Sequence, residues 1–206
     1  MHLKRNKVPT SWPIARKGTA FVVTSSDNSS EGIPALIVLR DMLKIGKTGK
    51  EVERILMSEK IKVNGKVTKD KKYYLKIFDV LGVGDKTYKM ILKNRKFSLE
   101  ETKDHKKISK VIGKKILPGN KVQINLNDGR NFVTGEKAGV GDSVLFDFES
   151  KKIEKIMPIK EGSKIIVIGG SHLGEEGKIE AIKDEKVEVI LEKKKVNLDS
   201  ERVMVI

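Results

Sequence analysis

The chain has no cysteine, and its 206 residues include one tryptophan, three tyrosines and six phenylalanines. Without thiols there is no disulfide and no thiolate metal site, a composition that fits a reducing cytoplasm. With 38% hydrophobic and 5% aromatic residues, the apolar side chains suffice for a few modest cores and not for one deep one. No stretch approaches the ~18 apolar residues of a membrane-spanning helix. The basic N-terminus is not followed by an apolar run of signal-peptide length.

Signatures of catalysis are missing too. His2, His105 and His172 lie far apart, with no Glu or Asp at helical metal-ligand spacing. There is no Gly-x-Ser-x-Gly elbow. Gly82-Val83-Gly84-Asp85-Lys86-Thr87 places a threonine where a dinucleotide fingerprint needs its third glycine, and Gly177-Lys178 is followed by Ile179 where a phosphate loop needs Ser or Thr. The expectation is a protein that is not an enzyme, with no cofactor, no metal, no small-molecule substrate and no membrane partner.

Positive charge is what the chain has in excess. Lys and Arg number 43 against 28 Asp and Glu, a formal net charge of +15, which points to a polyanion and first to nucleic acid. Residues 1–20 carry five cations and no acid, 34–80 carry +6, 81–159 carry +7, and 160–206 carry −1. These shifts in charge and pattern suggest four parts: a basic N-terminal tail and linker over 1–33, a compact module over 34–80, a β-rich middle domain over 81–159, and a C-terminal domain over 160–206.

The module is the most informative part. Pro34 suits a first helical turn, and Leu36, Leu39 and Leu43 recur at helical spacing until Gly46 offers a residue able to end the helix. Thr48 and Glu51 read as a capping box opening a second helix whose Val52, Ile55 and Leu56 face a core. Ile61 and Val63 then alternate with lysines up to Asn64-Gly65, a strong two-residue hairpin signal into Lys66 and Val67, and Leu75 to Val80 can supply a third strand. Arg40, Lys44, Lys47, Lys50 and Arg54 form a row contributed by both helices, and the hairpin adds Lys60, Lys62, Lys66, Lys69, Lys71 and Lys72. Twelve Lys and Arg face six Asp and Glu between Pro34 and Val80, the sign of a surface for phosphates.

Elsewhere the pattern is plainer. The tail, with Lys4, Arg5, Lys7, Arg16 and Lys17, has no amphipathic period and is expected to be disordered until it lies on a partner. Its Trp12 could stack on a base while the cations contact phosphates. Thr19 to Thr24 can add a short strand, and Ser25 to Gly32 is a loop by composition. Tyr88 to Leu92, Lys121 to Leu126, Asn131 to Thr134, the alternating Val144, Phe146 and Phe148, and Lys152 to Met157 read as strands, with a turn at Asn127-Asp128-Gly129. The basic runs Lys106-Lys107, Lys110 and Lys114-Lys115 could face RNA or only solvent. At the C-terminus, β-branched Ile165 to Ile168 enter a Gly-rich turn with Gly169, Gly170, Gly174 and Gly177, Gly174 being the position expected to need positive φ.

Three resemblances follow from these residues. Leu39-Arg40-Asp41-Met42-Leu43, Gly46-Lys47, Glu51 to Leu56 and Ile61-Lys62-Val63-Asn64-Gly65-Lys66-Val67 resemble the S-four-type, or alpha-L, RNA-binding domain. Gly49-Lys50 stands where many members have Ser-Arg, so that arginine's role passes to Lys50, and Phe78-Asp79 replaces a usual Gly-Asp. The stretch Glu161 to Ile179 resembles the KOW motif of small β-barrels. The order of parts, with His2-Leu3-Lys4-Arg5 and Leu36 to Leu43 as short matches, is similar to the small-subunit ribosomal protein S-four-e family of archaea and eukaryotes. The chain's end at Ile206, without a basic extension, favours the archaeal form.

The resemblance implies an α+β, mostly β fold: a small alpha-L module, a β-rich middle domain and a KOW small β-barrel. It implies a structural constituent of the small ribosomal subunit that binds small-subunit ribosomal RNA and neighbouring ribosomal proteins and supports translation and assembly. Candidate RNA contacts are Lys4, Arg5, Lys7, Arg16, Lys17, the row Arg40, Lys44, Lys47, Lys50, Arg54, and Lys62, Asn64, Gly65, Lys66. The competing readings are a transcription elongation factor, which also carries KOW units, and an RNA-modification accessory protein, which can carry an alpha-L module.

Overall fold

The computed structural model describes residues 3–24, 32–119, 121–135, 137–148, 150, 152–183, 186–191 and 194–206. His2 and all but Gly32 of the expected Ser25–Gly32 loop lie outside them. The architecture is α+β and mostly β, in two compact units, Met1–His105 and Lys106–Ile206.

In the first unit the N-terminal segment is built in. Strand β1 (Leu3–Lys4) pairs antiparallel with β2 (Phe21–Val22), and Trp12 is only 4% exposed, its indole N–H donating to Gly32 O at 2.7 Å. The backbone N–H of Phe97 donates to Ser11 O at 2.9 Å. The expectation of a disordered tail is therefore corrected. The segment's few apolar side chains and its peptide groups find partners far along the chain, which no local pattern reveals.

Strand β3 (Gly32–Pro34) precedes the helical part. Pro34 pairs with Tyr74 and caps the helix from an extended conformation, so helix α1 (Ala35–Ile37) begins one residue after it. Over Val38–Met42 the turn widens, with Leu43 N–H reaching Val38 O at 2.9 Å. The helix ends at Lys44, a non-glycine residue at φ +56°, rather than at Gly46. Gly46 serves packing instead, since a Cβ there would stand 3.0 Å from Val52 Cγ2 and 3.3 Å from Val52 N. The capping box is present: Thr48 Oγ1 accepts from Glu51 N–H at 3.2 Å and opens helix α2 (Gly49–Met57). Glu51 Oε2 accepts from Lys47 N–H at 2.8 Å.

Strands β4 (Ile61–Val63) and β5 (Lys66–Val67) join through Asn64 at φ +52° and Gly65 at φ +76°, both left-handed as the two-residue turn requires. The expected third strand is two. Strand β6 (Tyr74–Lys76) pairs with β3, Phe78 turns the chain at φ +63°, and β7 (Val80–Val83) pairs with β4. Strands β8 (Lys86–Lys93) and β9 (Lys96–Glu101) extend the same sheet in the order β5-β4-β7-β8-β9. The compact unit that holds this sheet runs to His105. Ile33, Ile37, Leu39, Leu56, Leu75, Leu81 and Met90 are fully buried beneath this sheet and the helices.

One buried polar cluster holds the bend between β6 and β7. Asn64 Nδ2 donates to Asp79 Oδ1 at 2.8 Å, Asn64 Oδ1 accepts from Val80 N–H at 2.9 Å, and Asp79 Oδ2 accepts from Lys76 N–H at 2.7 Å. Asp79→Ala strands donors in the interior, so it should destabilise the first unit by about 2–3 kcal/mol. The only tryptophan, Trp12, lies in that unit, so urea unfolding followed by its fluorescence reads the loss.

The second unit holds two five-stranded sheets. Strands β10 (Lys106–Leu117), β11 (Lys121–Leu126), β12 (Asn131–Thr134), β13 (Ser143–Asp147) and β14 (Lys152–Met157) are ordered β12-β11-β10-β13-β14. The first half of β10 pairs with β13 and the second with β11, whose pairing has a bulge at Ile112. Strands β15 (Lys164–Val167), β16 (Glu176–Lys183), β17 (Lys186–Leu191), β18 (Lys194–Asp199) and β19 (Val203–Val205) are ordered β18-β17-β16-β15-β19. Val111, Ile124, Leu126 and Val144 fill the first core, and Ile165, Val187, Val189 and Val203 the second.

The C-terminal sheet does not stand apart, contrary to the expected independent domain over 160–206. Met157 and Ile159 pack into its core. Lys110, 4% exposed, donates to Ser200 O and, at 2.8 Å, to Val203 O, and Ser143 Oγ accepts from Val205 N–H at 2.9 Å. Gly170 and Gly174 take φ +86° and +81° in its turn, as expected of Gly174. Gly177 does something else: a Cβ there would sit 2.5 Å from Ile190 O, so two strands close over it.

Lys107 and Asp128 form a buried ion pair at 2.9 Å that fastens β10 to the turn after β11. Arg130 lies 3.8 Å from the same carboxylate and 4.6 Å over the Phe148 ring. Burial alone would raise the Asp128 pKa, but the charge and hydrogen bond of Lys107, with the Arg130 backbone N–H, outweigh it and hold the group below its ordinary value. A depressed folded pKa contributes stability that is present above about pH 4 and lost as pH falls through the folded value. Asp128→Asn should flatten that acid limb and cost about 3 kcal/mol at neutral pH by leaving Lys107 without its countercharge. Hydrogen exchange at Ile124 and Val144 amides across pH 2–7 checks both.

Candidate nucleic-acid interface

The two units divide the charge unequally. The first carries +11, from 23 Lys and Arg against 12 Asp and Glu, and the second +4, from 20 against 16. The first unit is therefore the stronger attractor for a polyanion.

Within the first unit, α2 holds Lys50 and Arg54 exposed on the helix, and Lys44 and Lys47 are exposed in the turn before it. Lys62 and Lys66 are exposed on the β4–β5 hairpin, and Gly65 is exposed at its tip. Among the described residues, Lys44, Lys47, Lys50, Lys62 and Lys66 have no carboxylate partner, whereas Lys69, Lys71 and Lys86 pair with Glu59, Glu53 and Glu101. An ammonium group with no internal partner is available to a phosphate at little cost in broken bonds. Glu51 opens α2 beside these lysines. It is held below the usual carboxylate range first by the Lys47 backbone N–H, and Arg54 adds to this, so near neutral pH it is ionised and engaged with the helix start.

Three residues expected at the surface are committed elsewhere. Asn64 is 5% exposed and spends its amide on Asp79 and Val80, so it shapes the hairpin from inside. Arg5 donates to Ala15 O and Thr19 O, both at 2.7 Å, and to Thr19 Oγ1 at 2.9 Å, tying the N-terminal loop together. Arg40 is held against its neighbour Asp41 by bonds of 3.0 and 2.8 Å, a hydrogen bond that raises its pKa further. Lys4, Lys7, Arg16 and Lys17 of the N-terminal segment remain exposed.

The turn between β8 and β9 is a basic feature absent from the expected interface. Asn94 and Arg95 take φ +51° and +61°, and Lys93 and Lys96 flank them, exposed and in register. The alternation of Met90 and Leu92 before it, and of Phe97 and Leu99 after it, is a signal that could have found it. The runs left open between RNA and solvent also separate: Lys107 and Lys110 are buried structural cations, Lys106 pairs with Glu154, and Lys114 and Lys115 are exposed.

These features define a class, a strongly basic, mostly β protein that holds exposed cations, without carboxylate partners among the described residues, out to solvent on its first unit. The sequence profile of Ribosomal family S4e matches residues 85–153. The small ribosomal subunit protein eS4 of Methanocella arvoryzae is 34% identical over 189 residues, which span 88% of this chain and 81% of that one. The eS4 of Archaeoglobus fulgidus is 33% identical over 89% of this chain and 80% of that one. The crystal structure of the 30S ribosomal protein S4e from Thermoplasma acidophilum superposes with a TM-score of 0.73 at 28% identity, covering 85% of this chain and 95% of that one. The chain belongs to the ribosomal S4e family.

The arrangement predicts a graded response to charge reversal. Lys47→Glu, Lys50→Glu and Lys62→Glu should each weaken binding to small-subunit RNA and reduce the slope of log affinity against log salt by about one unit for every phosphate released. Arg40→Ala, whose guanidinium is already taken by Asp41, should move the slope least. Filter binding from low to moderate salt separates the two outcomes.

Proposed function

We propose that this protein is a structural constituent of the small ribosomal subunit, bound there to ribosomal RNA and in contact with neighbouring ribosomal proteins. It is not an enzyme, and its place is the cytoplasmic ribosome. The observation that carries the reading is the set of exposed lysines on α2, the turn before it and the β4–β5 hairpin, which have no carboxylate partner among the described residues. The two helices and hairpin over 34–80 act as an alpha-L module, with Lys44, Lys47, Lys50, Arg54, Lys62 and Lys66 on phosphates and Gly65 letting RNA approach the hairpin tip. Lys4, Lys7, Arg16 and Lys17 extend the contact from the N-terminal segment. The β-rich middle, 106–159, and the KOW unit, 160–206, act as one docked body. With a net charge of −1, the KOW unit adds little to first capture of RNA and fits a role in fixing a late contact.

Sucrose-gradient sedimentation tests the reading. Wild-type protein should travel with the small subunit and leave it only at high salt. The combined variant Lys47→Glu, Lys50→Glu, Arg54→Glu, folded by circular dichroism, should remain at the top of the gradient. Wild type that travels instead with RNA polymerase, or alone, would favour the elongation-factor or accessory reading.

A further inference from the structure

Separate from α2 and the hairpin, the first unit has a cleft of about 530 Å³ between the N-terminal segment and the start of β9, within the ~300–1,000 Å³ range of small-ligand sites. Among the described residues its titratable lining is Arg5, Arg16 and Lys96, with no acid. Val8, Pro9 and Ile14 supply an apolar part, and the buried Trp12 also lines it. Arg16 and Lys96 are exposed and their side chains have no partner among the described residues, while Arg5 is locked by three hydrogen bonds and so presents a fixed charge.

We infer that this cleft receives an unpaired nucleotide of single-stranded RNA, its base on the apolar lining and its phosphates between Arg16 and Lys96. The chemistry favours this occupant over a duplex. A duplex offers phosphates but keeps its base faces stacked, whereas an unstacked nucleotide brings an apolar face and an anion together. An acidic peptide would meet the cations but leave Val8, Pro9 and Ile14 without a complement. The cleft is also prebuilt: the Trp12 indole bond to Gly32 O and the Phe97 bond to Ser11 O fix its two sides. The inference rests on the ribosomal RNA reading and adds the kind of RNA segment this second site takes.

Trp12, the only tryptophan, reports on the cleft directly. Titrating the full chain with a short oligouridine should change its emission saturably, while an RNA duplex of the same length should bind without that change. The double variant Arg16→Glu, Lys96→Glu should weaken oligouridine binding by on the order of tenfold, with Arg16→Gln, Lys96→Gln intermediate. Among the described residues neither side chain makes a hydrogen bond or ion pair, so circular dichroism should match wild type. Unchanged oligouridine affinity in the folded double variant, a silent Trp12 at saturation, or equal binding of an oligoglutamate peptide each overturns the inference. A chain that still sediments with the small subunit while failing here loses only the cleft, not the ribosomal assignment.

Discussion

The first unit turns on the exchange of hydrogen bonds between Asn64 and Asp79. Asn64 sits at a left-handed turn position and is buried, so its amide must be satisfied from inside, and Asp79 and the Val80 peptide do this. The same carboxylate accepts from Lys76 N–H, which fixes the bend that sends β6 to β3 and β7 to β4. A cluster of this kind is worth most when it is complete, because each polar group left unpaired in the interior costs more than its bond contributes. Among the described residues no buried side-chain nitrogen or oxygen lacks a partner.

The second unit solves the same problem with charge. Its small cores leave Lys107 and Lys110 buried, one against Asp128 and one against the carbonyls of Ser200 and Val203. Lysine suits the second task because its three donors can reach carbonyls at the end of a facing sheet. The cost is that a cation is withdrawn from the surface to join two sheets. In a strongly basic chain, therefore, the number of lysines overstates the surface available to phosphate. What counts is the subset with neither a carboxylate nor a carbonyl to hold them.

Part of that subset stands on a capped helix start and a tight hairpin turn. Lys47 precedes a helix whose first turn is closed by Thr48 and Glu51 in both directions, and Lys62 and Lys66 flank a two-residue turn. Cations on such elements lose little freedom when a phosphate arrives, because the backbone that carries them is already ordered. The charge division runs the same way: the first unit carries most of the net positive charge, and the second spends two buried lysines on its own sheets.

Composition, the Thr48–Glu51 box, the Asn64-Gly65 turn, the Gly174 turn and strands β11 to β15 of the second unit were legible from residue order, because each depends on neighbours within a few positions. So was the basic character of the module, since charge is counted without a fold. Tertiary structure alone decided which of those residues reach solvent. Asn64 meets Asp79 across fifteen positions, Arg5 meets Thr19 across fourteen, and Lys110 meets Val203 across ninety-three. It also decided that Trp12 is core, that β8 and β9 belong to the first unit, and that the C-terminal sheet docks on the middle one. A local pattern shows which face of an element is apolar or charged, but the partner of a polar group is set by strand pairing and sheet packing, and those contacts join residues that are distant along the chain.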